Sequence, residues 1–115
     1  MNYKIYHNPR CSKSREGLAL LASKTNNFEI IDYIKKPPSA EDIENLLKLL
    51  KLEPVELVRT NESIWREHYK VKSLDKDEII VALATHPKLI ERPIIVKNNK
   101  AIIGRSAENI LIFIK

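Results

Sequence analysis

The first third of the chain restricts the fold most. Residues 3–6 are short and β-prone and run into Asn8-Pro9. A helical pattern follows, with Leu18, Leu21 and Ala22 on one face. Asn26-Asn27 breaks it, and residues 28–33 read as a second strand. Strand, helix, strand implies a parallel pair, because a tight turn returns only an antiparallel partner and a parallel one needs a crossover.

Lys36-Pro37-Pro38 closes that unit. Ser39, with Asp42 three positions on, predicts a capped helix whose inward stripe is Ile43, Leu46, Leu47 and Leu50. Pro54 restarts the chain, Val55, Leu57 and Val58 lead to Arg59, and Ile64-Trp65 suggests a short helix. Asp75 with Glu78 signals another capped helix, carrying Ile79, Ile80, Leu83 and Ala84 and stopped by His86-Pro87. Ile94-Ile95-Val96 and Ala101-Ile102-Ile103 flank Asn98-Asn99, which predicts a hairpin with a turn able to take positive φ. Ser106 then caps a last helix with Ile110, Leu111 and Ile114 inward. A βαβ unit, a helical segment and a ββα unit make an α/β chain of the thioredoxin-like plan: a four-stranded mixed sheet with flanking helices and a helical insertion. The length of 115 residues fits a single domain, 1–115, with one core.

In this frame the only cysteine, Cys11, falls at a helix start, within Tyr6-His7-Asn8-Pro9-Arg10-Cys11-Ser12-Lys13-Ser14-Arg15. A thiol there meets the positive end of the helix dipole and unpaired N–H groups. Neighbouring cations favour the thiolate further, which is how a cysteine becomes nucleophilic at neutral pH. A buried filler is the ordinary role of a lone cysteine, but a place after Asn-Pro among His7, Arg10, Lys13 and Arg15 suits a filler poorly. The same N–H groups, with the hydroxyls of Ser12 and Ser14, form a candidate oxyanion site. For His7 two readings stand: an imidazolium that lowers the thiol pKa, or a neutral ring that hydrogen-bonds the loop.

Several chemistries are excluded. Ser14 stands where a C-x-x-C motif needs its second cysteine, Gly17 stands where a tyrosine-phosphatase loop needs arginine, and the segment lacks the glycines of a P-loop. His7, His68 and His86 are far apart and offer no metal-ligand pairing, so no metal and no bound cofactor are expected. One cysteine rules out an internal disulfide framework and suggests a reducing, cytoplasmic setting. There is no apolar run of membrane-spanning length and no signal-peptide pattern at the N-terminus. The net charge of +5 is spread along the chain without interleaved aromatics, so a small anion is expected as partner rather than nucleic acid. Arg59, Arg92 and Arg105 each sit at an element boundary, where sites collect, although a solvated surface arginine is the usual occupant of such a place.

The loop resembles the active-site loop of the glutaredoxin-coupled arsenate reductases, the ArsC family. The likeness continues through Asp32-Tyr33, Leu57-Val58-Arg59, His86-Pro87, Ile90-Glu91-Arg92-Pro93-Ile94 and Gly104-Arg105-Ser106, in order over nearly the whole chain. Ser12 and Lys13 stand where some characterised members carry Gly and Thr. The resemblance implies a thioredoxin-like fold with a helical insertion. It implies Cys11 as nucleophile, Arg59, Arg92 and Arg105 as arsenate ligands, and His7 as modulator of the thiolate; Ser14 and Arg15, in the helix-start segment, are expected beside the anion as well. It also implies a cis peptide before Pro93, glutathione as co-substrate and glutaredoxin as partner. Two other functions fit the scaffold: a glutathione-dependent thiol oxidoreductase acting on mixed disulfides, and a Spx-like regulatory binding module without enzymatic activity.

Overall fold

A computed structural model describes residues 2–69 and 73–114. It divides into two compact units, residues 1–36 with 92–115, and residues 37–91.

The first unit holds the sheet. Strands β1 (Tyr3–His7) and β2 (Phe28–Asp32) run parallel, joined by helix α1 (Ser12–Lys24). Strands β3 (Ile94–Lys97) and β4 (Lys100–Ile103) form the hairpin, and β3 lies antiparallel to β1. The order is β2-β1-β3-β4, the four-stranded mixed sheet read from the sequence. Asn98 takes φ 55° in the hairpin turn, a conformation asparagine tolerates better than most residues. The Arg92–Pro93 peptide entering β3 is cis.

Tyr3, Ile5, Leu21, Ile95 and Ile110 form the core between the sheet and its helices. Helix α1 sets Leu18 and Leu21 against the core as expected and departs at Ala22. Its buried residues are Ser14, Gly17 and Leu21, and Ala22 is exposed. Two further inward positions carry no apolar signal, being a hydroxyl and a missing side chain. A Cβ on Gly17 would lie 2.7 Å from Pro93 Cγ, so a larger residue would displace the proline ring. The last helix, here called α2 (Ala107–Ile114), differs as well. Ile110 is buried and Phe113 and Ile114 pack on the core, whereas Leu111 is exposed. Ser106 Oγ accepts the Asn109 N–H at 3.1 Å, and Asn109 Nδ2 donates to the Ile103 carbonyl at 3.0 Å, fixing the helix start to the end of β4.

The second unit is helical. Helix α3 (Ala40–Leu50) begins in a reciprocal cap between Ser39 and Asp42, and helix α4 (Ser63–His68) contains Ile64 and Trp65. Helix α5 (Lys76–Thr85) begins in a matching cap between Asp75 and Glu78. The sequence placed all three. Ile43, Leu46 and Leu47 of α3 are buried, and so are Ile79, Ile80, Ala82 and Leu83 of α5. Two short 3-10 turns, Pro54–Leu57 and Pro87–Leu89, pack against α5. No helix of the described residues is long and apolar enough to cross a membrane.

Candidate active site

Cys11 caps the N-terminus of α1 in extended conformation, with φ −101° and ψ 123°. Its N–H donates to the Asn8 carbonyl at 3.0 Å, and its carbonyl accepts the Arg15 N–H at 3.0 Å. Asn8 Oδ1 accepts the Arg10 N–H at 3.0 Å, a local turn that Asn favours. Arg15 Nη1 reaches back to the Pro9 carbonyl at 2.9 Å. These four hydrogen bonds fix the loop before any ligand arrives.

Ser14 adds a further anchor. Its side chain is fully buried, and its Oγ accepts the Asn8 N–H at 2.9 Å and lies 2.7 Å from His7 Nδ1. The hydroxyl keeps its own proton and a second lone pair for the contact with Nδ1, so the bond forms with either ring tautomer. The Ser14 hydroxyl, expected at a bound anion, is engaged here by His7 and by the Asn8 N–H. Arg15, also expected at the substrate, has its Nη1 engaged by Pro9.

The thiol feels opposing influences. Burial pushes the Cys11 pKa up, but a hydrogen bond from the Arg92 side chain, the N–H groups of Ser14 and Lys13 and the charge of Arg92 outweigh it, and the net shift is downward. Cys11 is partly exposed, so the sulfur is both stabilised as an anion and reachable. For His7, burial lowers the pKa below the ordinary 6.5, with Arg15 adding to the effect and the Asp32 carboxylate opposing it. Asp32 sits opposite His7 in the β1–β2 register. The ring is therefore neutral at pH 7, which favours the second of the two sequence readings.

The three arginines are placed differently. Arg92 reaches the Cys11 sulfur. Arg105, exposed after β4, accepts a hydrogen bond on its carbonyl from Lys13 Nζ at 3.1 Å, which ties its loop to the first turn of α1. Arg59 belongs to the helical unit, where Nη1 lies 2.6 Å from Glu62 Oε2 and Nε lies 3.7 Å from Glu91 Oε1. Asn8, Asp32, Glu62 and Glu91 carry no chemical signal of their own in the sequence; only a glutamate three residues after an arginine hints at the Arg59–Glu62 pair. Among the described residues, no cluster of His, Cys, Asp and Glu could hold a metal ion.

The ArsC family model matches residues 6–113. An uncharacterized protein of Escherichia coli (strain K12), YfgD, is 44% identical over 110 residues, covering 94% of this chain and 92% of its own. An arsenate reductase of Neisseria meningitidis serogroup B is 38% identical over 109 residues, covering 93% of each chain. Among solved structures, an arsenate reductase from Vibrio cholerae superposes with a TM-score of 0.92 at 43% identity, covering 96% of both chains.

Proposed function

Because the chain belongs to the ArsC family, we propose that it is a thiol-dependent arsenate reductase, with Cys11 as nucleophile and glutathione and glutaredoxin as external reductants. The observation that carries this reading is the Cys11 sulfur itself, held at a helix N-terminus by the Arg92 side chain and two backbone N–H groups. Donors that favour a thiolate also suit an oxyanion placed beside it.

In the proposed reaction the Cys11 thiolate attacks arsenic, forming an S–As bond and expelling one oxygen as hydroxide or water. Glutathione attacks the Cys11 sulfur of this adduct, so that an S–S bond forms as the S–As bond breaks and arsenic leaves with the electron pair as As(III). Glutaredoxin then resolves the Cys11–glutathione mixed disulfide. Over a turnover two external thiols become one disulfide, their two electrons reduce As(V) to As(III), and Cys11 is regenerated. A chain with one cysteine has no internal thiol for this, so the electrons come from outside.

Arg92 is assigned to the thiolate and the oxyanion together. Arg59 and Arg105 are assigned to the oxyanion on the family pattern, and a planar guanidinium suits that role because it makes paired N–H bonds to oxyanions. His7 is assigned as a positioning residue: its neutral ring holds Ser14, and Ser14 holds the loop. The family match spans both compact units, which supports one functional domain over residues 1–115. A cytoplasmic location is proposed from the single unpaired thiol.

Arsenate protection of Cys11 from alkylation tests the substrate assignment without any reductant. The reading predicts that labelling by iodoacetamide slows with rising arsenate concentration. Labelling that arsenate leaves untouched, together with rapid release of glutathione from a glutathionylated peptide, would favour the mixed-disulfide oxidoreductase instead.

A further inference from the structure

The surroundings of Arg59 do not suit an arginine that simply attracts anions. Glu62 Oε2 lies 2.6 Å from Nη1, and Glu91 Oε1 lies 3.7 Å from Nε. Two carboxylates beside one guanidinium offset its charge, so its attraction at a distance is reduced. What survives is directional N–H bonding, and its value depends on how firmly the guanidinium is aimed.

The aim is firm. The Arg59 N–H donates to the Leu89 carbonyl at 2.7 Å, and the Glu91 N–H donates to the Leu57 carbonyl at 2.9 Å. Val58 and Ile90 form an isolated antiparallel bridge between these two contacts. The Glu62 N–H donates to the Arg59 carbonyl at 3.0 Å. The two chain segments that carry the carboxylates therefore also fix the Arg59 backbone. Side chain and main chain are held by the same partners, and among the described residues Nη2 makes no hydrogen bond.

We propose that Glu62 and Glu91 are positioning residues for Arg59, gripping Nη1 and Nε so that Nη2 is presented to an oxyanion in one fixed orientation. This rests on the assignment of Arg59 as an arsenate ligand. Preorganisation of this kind strengthens binding by removing the cost of ordering a long side chain on ligand arrival. Glu62 dominates, because its contact is short enough for a charge-assisted hydrogen bond whereas that of Glu91 is an ion pair only.

The test is a double-mutant cycle on the arsenate concentration that half-protects Cys11 from alkylation, with KM and kcat measured alongside. Glu62→Ala should raise that concentration and KM about fivefold, the effect of a partly exposed pair, with kcat nearly unchanged. Glu62→Gln, which keeps an oxygen acceptor, should recover most of the loss. In an Arg59→Ala background Glu62→Ala should add nothing. A Glu62→Ala variant that is silent, or that binds arsenate more tightly, overturns the proposal, as does an equal effect with and without Arg59. If Arg59→Ala is itself silent, the Arg59 assignment falls and takes the positioning role with it. If Arg59→Ala weakens protection while Glu62→Ala does not, only the positioning role falls.

Discussion

Ser14 Oγ lies 2.7 Å from His7 Nδ1 in a site closed to solvent. The same oxygen accepts the Asn8 N–H, so a single hydroxyl joins the end of β1, the loop and the first turn of α1. Ser14→Ala leaves buried His7 and half-buried Asn8 without this partner. It should lower stability by about 1–3 kcal/mol, the cost of leaving buried polar groups unpaired. Denaturant unfolding measures this; a change below about 0.5 kcal/mol, the range of ordinary surface substitutions, would mean the bond is not structural.

Arg92 is the strongest of the groups holding the Cys11 pKa down. Arg92→Ala should therefore move the inflection of alkylation rate against pH upward, toward that of an ordinary thiol. The wild-type inflection should lie below that value. An unchanged inflection in the variant would assign the depression to the loop N–H groups alone.

His7 titrates below the ordinary 6.5 because burial disfavours its charged form. The unfolded chain then takes up a proton more readily than the folded one. His7 thus contributes stability that is fully present above about pH 6.5 and is lost as pH falls through the folded pKa. Unfolding midpoints measured between pH 7.5 and 5 should fall with pH in the wild type, and less steeply in His7→Gln. Parallel curves for the two proteins would remove His7 as the source.

Gly17 packs against the proline that follows Arg92. A Cβ there would lie 2.7 Å from Pro93 Cγ and 3.5 Å from Ile110 Cδ1. The Pro93 ring cannot swing away as a flexible side chain would. Gly17→Ala gains up to about 1 kcal/mol in helix propensity but incurs an overpacking cost of about 1–3 kcal/mol. Net destabilisation is expected, with an upward shift of the Cys11 inflection as Arg92 moves with its neighbour. A more stable Gly17→Ala protein would show that the contact relaxes freely.

The elements with strong local signals were legible in the sequence. The caps at Ser39, Asp75 and Ser106 were visible, as were the Asn98 turn and the strand-helix-strand opening, because each depends on a few adjacent residues. On α1, Leu18 and Leu21 were readable, but Ser14 and Gly17 were not, since they carry no apolar signal and meet His7 and Pro93 from elsewhere in the fold. The outward turn of Leu111 was hidden for a related reason: Phe113 and Ile114 compete for the same core. At the site, the position of Cys11 was readable from local order. The neutral state of His7 was not, because it depends on burial, which outweighs the opposing Asp32 carboxylate across the β1–β2 pair. Nor was the grip on Arg59, whose second carboxylate, Glu91, is distant in sequence.

The central claim is that Cys11 carries arsenate reduction. Arsenite released by the purified protein supplied with arsenate, glutathione and glutaredoxin tests it most directly. Steady turnover by the wild type and none by Cys11→Ser is the predicted result. Equal arsenite release by the two proteins, or no release by the wild type in the complete mixture, would contradict it.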